Sequence, residues 1–156
     1  MNASIHRFLG VLAVIAVGLP TSASANAPAG QYVVTASGTG NGTVYDTKSK
    51  LTWQQTVSSA TYSWVAAKTY CAGVGASLGG TGWRLPTIKE LQSIVDLTQT
   101  AAPFIDPNAF PSTPENSFWS SSPVAGSPSI AWDVNFNIGY TNYGGVSSSN
   151  NVRCVR

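Results

Sequence analysis

The chain has 156 residues, of which 9% are charged, with eight Lys and Arg against six Asp and Glu, a single histidine and two cysteines. So even and sparse a charge balance excludes the clustered positive charge that binding to nucleic acid or anionic lipid requires. The length suits one domain with one real core.

Chain order begins with His6 and Arg7, an apolar run over residues 8–19, and then Thr21-Ser22-Ala23-Ser24-Ala25. This is the three-part build of a secretory signal peptide, and the small residues Ala23 and Ala25 predict cleavage before Asn26. The apolar run falls short of the ~20 residues a membrane-spanning helix needs, and no cysteine follows it to accept a lipid. Residues 1–25 are therefore read as a signal peptide. The product is expected to be exported, whether periplasmic, secreted or at the cell surface, with no membrane insertion once the signal is gone. Cleavage removes His6 and Arg7 and leaves seven basic against six acidic residues. Two cysteines in an oxidising compartment predict a Cys71–Cys154 disulfide, whose connectivity has no alternative.

Residues 26–43 read as a loose leader and a first strand at 31–35, followed by a Gly-rich connection at 37–42. The domain proper runs over 44–156. Strand signals at 44–46 and 51–54 flank the polar residues 47–50, which predicts a hairpin. Ser63 is placed to cap a helix over 64–72 that Gly73 would end, with Trp64, Ala67 and Cys71 on one face. After Pro86, Thr87 and Glu90 have capping-box spacing, and Ile88, Leu91, Ile94 and Val95 carry a helical period to about residue 97. Residues 98–117 form a long loop pinned by Phe104, Ile105 and Phe110. A strand is expected at 118–120. Ile130, Trp132, Val134 and Phe136 alternate with polar or small residues, as a strand with one buried face does. Gly139 allows a turn into 140–143, and 152–156 is the expected closing strand. The order predicts an α+β domain with two helices packed on antiparallel strands, long loops and one disulfide.

Several spaced strings give this pattern a family likeness: Leu51-Thr52-Trp53-Gln54, Tyr70-Cys71, Gly82-Trp83-Arg84-Leu85-Pro86-Thr87 with Glu90-Leu91, Ile105-Asp106, Phe110-Pro111, Phe118-Trp119-Ser120-Ser121, Ala131-Trp132 and Val152-Arg153-Cys154-Val155-Arg156. Together they resemble the Lcl C-terminal domain family of bacteria, which implies a C-type-lectin-like fold and a binding role outside the cell. A named member of that family is an adhesin associated with sulfated glycans. This chain departs from it in having no collagen-like repeat and almost no net charge.

Chemistry is bounded by what is missing. Without a histidine after residue 25, and with both cysteines oxidised, His-based triads, Cys-His pairs and His or Cys zinc sites have no residues to use. A carboxylate pair such as Asp106 with Glu115 is all that remains for a glycosidase, so no enzyme activity and no cofactor are expected. Calcium sites of C-type lectins use Glu-Pro-Asn and Trp-Asn-Asp, whereas this chain has Pro114-Glu115-Asn116 and Trp132-Asp133-Val134, and no metal is expected. Trp53, Trp64, Trp83, Trp119 and Trp132 are assigned mostly to the core. Arg84 is assigned to a structural ion pair and Glu90 to a cap. Asn135, Asn137, Tyr140, Asn142 and Tyr143 stand in a segment, 135–151, with the Tyr, Asn, Ser and Gly composition of adaptable binding loops. They are the expected ligand-binding residues, for a glycan or a surface protein. The alternative is a structural or assembly domain with no small ligand.

Overall fold

The computed structural model describes residues 27–36 and 42–156; the expected signal peptide and most of the Gly-rich connection lie outside the described residues. Three short strands, β1 (Tyr32–Thr35), β2 (Thr43–Asp46) and β3 (Thr52–Gln54), form an antiparallel sheet in that order. The β2–β3 hairpin is the expected one. Asp46 organises its turn by accepting from the Lys48 N–H at 2.9 Å and the Ser49 hydroxyl at 2.7 Å, a local arrangement that favours turns over continued strand.

The described part of the leader is docked, contrary to expectation. The Ala27 N–H donates to Asp106 at 3.2 Å, and the Thr47 hydroxyl reaches the carbonyls of Gly30 and Gln31. These backbone groups find partners on the hairpin turn and the long loop.

Three helical segments follow. Helix α1 (Trp64–Gly73) starts at Ser63, whose side chain accepts from the Ala66 N–H, and buries Ala67 and Cys71. Gly73 is its last residue, as expected, but Val74 keeps helical φ and ψ and leads into a single turn, α2 (Gly75–Leu78). The helical path finally stops at Gly79, whose φ of 74° is one that L side chains rarely adopt. Helix α3 (Ile88–Gln92) carries the full capping box between Thr87 and Glu90. It ends five residues short of the expected limit. The Ser93 hydroxyl bonds back to the Glu90 carbonyl at 2.7 Å, and the Asp96 N–H turns away to Phe104. Ile94 remains buried all the same, so its apolar period reports burial rather than helix.

Strands β4 (Ser117–Val124), β5 (Ser127–Asn135) and β6 (Tyr140–Gly145) make a second antiparallel sheet joined by tight turns. Burial on β5 differs from the expected alternation. Ala131 and Asp133 are as buried as Val134, while Ile130 and Trp132 are half-buried. The reason is that both faces of this sheet are covered. One packs Phe118, Val134 and Phe136 with Leu91, Ile94, Ile105 and Phe110; the other packs Trp119 and Ala131 with Ala67, Cys71, Trp83 and Val152. Trp53, Trp83 and Trp119 are core residues, as assigned; Trp64 and Trp132 are only half-buried.

Residues 152–156 do not form a regular strand. Val155 makes isolated bridges to Trp53 on one side and Arg84 on the other, and Cys154 and Arg156 bond to Gln54 and Thr52 of β3. The chain end is thus clamped between two segments too short to extend a ladder. Cys154 is joined to Cys71 of α1 by the expected disulfide. Among the described residues no helix is long and apolar enough to cross a membrane.

Candidate functional site

Sheet register decides where the expected ligand-binding residues point. Directly opposed residues of an antiparallel pair share a face, and neighbours along a strand alternate. Asn135 opposes Tyr140 and Asp133 opposes Asn142, so these lie on one face of the β5–β6 hairpin; Trp132 opposes Tyr143 on the other. Tyr143 sets its ring edge-on to Trp132 at a centroid distance of 5.7 Å. Asn137 lies in the turn, where its N–H donates to the Asn135 side chain at 2.9 Å. The five residues therefore do not converge on one surface. Tyr140 and Tyr143 are both well exposed, but on opposite faces.

What the fold does bring together around Asn135 is a polar notch of about 330 Å³. Its walls are Thr61, Asn116, Ser117, Asn135, Ser149, Asn150 and Asn151. Backbone pairing builds it from four separate stretches: Asn150 pairs with Tyr62, and Asn151 bridges Phe118 while its N–H donates to the Ser117 carbonyl at 3.0 Å. Every wall is an amide or a hydroxyl. The side chains of Asn116 and Asn150 make no hydrogen bond among the described residues, leaving donor and acceptor groups of both amides open. Thr61, Asn116 and Ser117 were not among the expected site residues, because they lie upstream of the C-terminal segment and carry no local motif.

Beneath this face lies Asp133, 2% exposed, with a hydrogen bond from Ser117 and with Oδ1 unpartnered. Burial pushes its carboxyl above the usual carboxylate range. No charged group from a neighbouring element offsets that burial.

The other charged candidates are committed elsewhere. Arg84 and Glu90 form a bidentate pair at 2.7 Å, and Glu90 also accepts from the Thr87 N–H. The hydrogen bonds from Arg84 hold the Glu90 carboxyl below its ordinary range. Trp64 donates to the Ser120 carbonyl and is covered by Lys68, which lies 3.1 Å above its ring. Two larger clefts, of about 510 and 460 Å³, flank Tyr32. Their acids Asp46 and Asp106 already accept the backbone N–H groups of their own turns, so these two carboxylates are committed to local structure. Among the described residues, no three or more His, Cys, Asp or Glu side chains are placed to hold a metal ion.

No curated protein matches the chain at a significant level. The sequence model of the Lcl C-terminal domain matches residues 42–156, from the start of β2 to the last residue. The notch, the hairpin and the disulfide all fall inside that match, and the chain belongs to the Lcl C-terminal domain family.

Proposed function

We propose that the protein is an exported, non-catalytic binding module with a C-type-lectin-like fold, and that it takes a neutral, hydroxyl-rich ligand such as a glycan in the notch around Asn135. The observation that carries this reading is the composition of the notch: seven walls, all amide or hydroxyl. Such groups both donate and accept, which matches the alternating demands of sugar hydroxyls. A charged ligand would instead lose hydration against groups that cannot neutralise it. The fold assignment is supported by the disulfide from the first helix to the chain end and by the long loop between α3 and β4. Export is supported by that same disulfide.

A carboxylate pair has no place in this reading. Asp106 is nearly buried and accepts the N–H groups of Ala27, Asn108 and Ala109, while Glu115 is exposed and outside the notch. The test is a glycan array with the oxidised mature protein, followed by calorimetry on the hits. Asn116→Ala and Asn150→Ala should each weaken binding by roughly fivefold, the worth of a hydrogen bond or two, with melting unchanged. Full affinity in both variants would move the site elsewhere. Salt-sensitive binding that depends on Lys48 and Lys50 would favour a polyanion ligand instead.

One observation favours the assembly reading. Strand β1 ends its sheet with Val33 51% and Val34 43% exposed, and it has neither the lysine nor the proline that commonly protects an edge. A bare array from folded protein would shift the weight to that reading.

A further inference from the structure

A second pocket lies on the other side of the Asn135–Tyr140 pair, where the end of α3 meets the β5–β6 turn. Gly139 closes it. A Cβ at that position would fall 2.5 Å from Leu97 Cδ2 and 3.3 Å from Phe104 Cβ, so the turn backbone is pressed directly against Leu97. What stays open is about 290 Å³, lined by Gln92, Val95, Leu97, Gly139, Tyr140 and Thr141. That is the lower end of the ~300–1,000 Å³ of ligand clefts, a size for one small unit of a ligand.

Its chemistry differs from that of the notch. Leu97 is 59% and Tyr140 63% exposed, so apolar surface faces water here. The Gln92 amide and the Thr141 hydroxyl make no hydrogen bond among the described residues, and no charged side chain lines the pocket. Occupants with charge are disfavoured, and so are purely polar ones, which would leave Val95 and Leu97 uncovered. The two pockets are neighbours: Asn135 of the notch directly opposes Tyr140, a spacing of about 5 Å between Cβ atoms.

We propose that this pocket is the subsite for a 2-acetamido sugar, so that the ligand class of the module is a glycan containing an N-acetylhexosamine unit. The inference rests on the notch reading given above and narrows it. The acetamido methyl covers Val95 and Leu97. Its N–H and carbonyl meet the Gln92 amide, which offers both an acceptor and donors, and the Thr141 hydroxyl adds a further partner. Tyr140, whose side chain shares the Asn135 face, supplies flat, weakly polar area for the C–H face of the adjoining sugar, at the low entropic cost of a two-torsion side chain. The next sugar then lies over Asn135 and enters the notch.

Chito- and cello-oligosaccharides share a β1,4-linked backbone and differ at the acetamido group, so calorimetry with both isolates the subsite. The oxidised mature protein should bind chitotetraose about tenfold more tightly than cellotetraose, the worth of one well-made amide hydrogen bond with its apolar contact. Gln92→Ala and Leu97→Ser change exposed side chains. Each should bring chitotetraose down toward the cellotetraose value while leaving cellotetraose unchanged. Equal affinity for the two sugars in the parent protein, or a preference kept in both variants, overturns the subsite and leaves the notch reading standing. Binding of neither sugar when the array shows other glycans does the same. A bare array removes both readings together.

Discussion

Asp133 is an acid placed where acids are costly. It sits opposite Trp119 on a covered sheet face with one oxygen unpartnered, and burial raises its pKa. A raised folded-state pKa means that the folded protein holds the proton more tightly than the unfolded chain does. Asp133 therefore favours the fold below its unfolded value, ~3.9, and that contribution is lost as pH rises through the folded value. At neutral pH the ionised side chain is a liability. Asp133→Asn keeps the shape, can still accept from Ser117, and exchanges a buried charge for a neutral amide. Urea denaturation at neutral pH should show it more stable by on the order of 1 kcal/mol, with the gain shrinking near ~pH 4. A variant less stable at both pH values would mean that the carboxylate has a partner that the amide cannot replace. Glu90 works in the opposite sense: its pKa is lowered by Arg84, so its contribution is present above the ordinary carboxylate value and lost on acidification. Partial exposure of that pair keeps it small. Arg153 is a fully buried charge, and it is structural. It is 0% exposed, donates to the Gln54 and Gln55 carbonyls and the Thr113 hydroxyl, lies 4.6 Å from the Phe110 ring, and is lowered by burial to about 9.

Helix α3 has five residues, too few to be stable by propensity alone, so its cap and its packing must hold it. Thr87→Ala removes the hydroxyl that accepts from the Glu90 N–H and should cost about 1 kcal/mol, read as a lower urea midpoint at unchanged slope. Affinity for any ligand of the notch should not change, since neither residue lines it. A large loss of affinity with unaltered stability would contradict this assignment. The box was legible in the sequence because its two partners are three residues apart. The β2–β3 hairpin was legible for the same reason: Asp46 and the turn it caps are local. The end of α3 was not, because a tertiary bond from Asp96 to Phe104 overrides an apolar period that continues to Val95. The second face of β5 was hidden likewise, since Ala131 and Asp133 are buried by segments more than a dozen residues away. Of the candidate site, the sequence showed composition but not convergence. Asn135, Asn150 and Asn151 belong to the polar segment singled out, but Thr61, Asn116 and Ser117 reach the notch only through long-range pairing, and Tyr143 leaves for the opposite face.

At the scale of the whole molecule, the chain end ties the parts together. Residues 150–151 pair with Tyr62 and β4, and residues 154–156 with β3 and Arg84, so one short segment joins both sheets and the loop before α3. The disulfide fixes that segment to α1 across a sequence separation of 83. In the chain-entropy account, closing so long a loop restricts the unfolded chain and is worth ~4–5 kcal/mol, a large share of the ~5–15 kcal/mol that usually separates folded from unfolded domains. Cys71→Ala should therefore lower stability by several kcal/mol, on the order of the same estimate. The mechanism makes a sharper claim than the magnitude. If the bond acts on the unfolded ensemble, its removal leaves that ensemble more expanded, so the denaturant slope should rise while the unfolding rate changes little. If it acts instead by holding the chain end in place within the fold, the slope should stay fixed and unfolding should accelerate. The paired backbone on both sides of Val155 provides an anchor that does not depend on the disulfide, which favours the first outcome. Stopped-flow unfolding of the Cys71→Ala, Cys154→Ala double variant, which leaves no stray thiol, separates the two: a many-fold faster unfolding rate at unchanged slope would show that the bond itself holds the folded chain end.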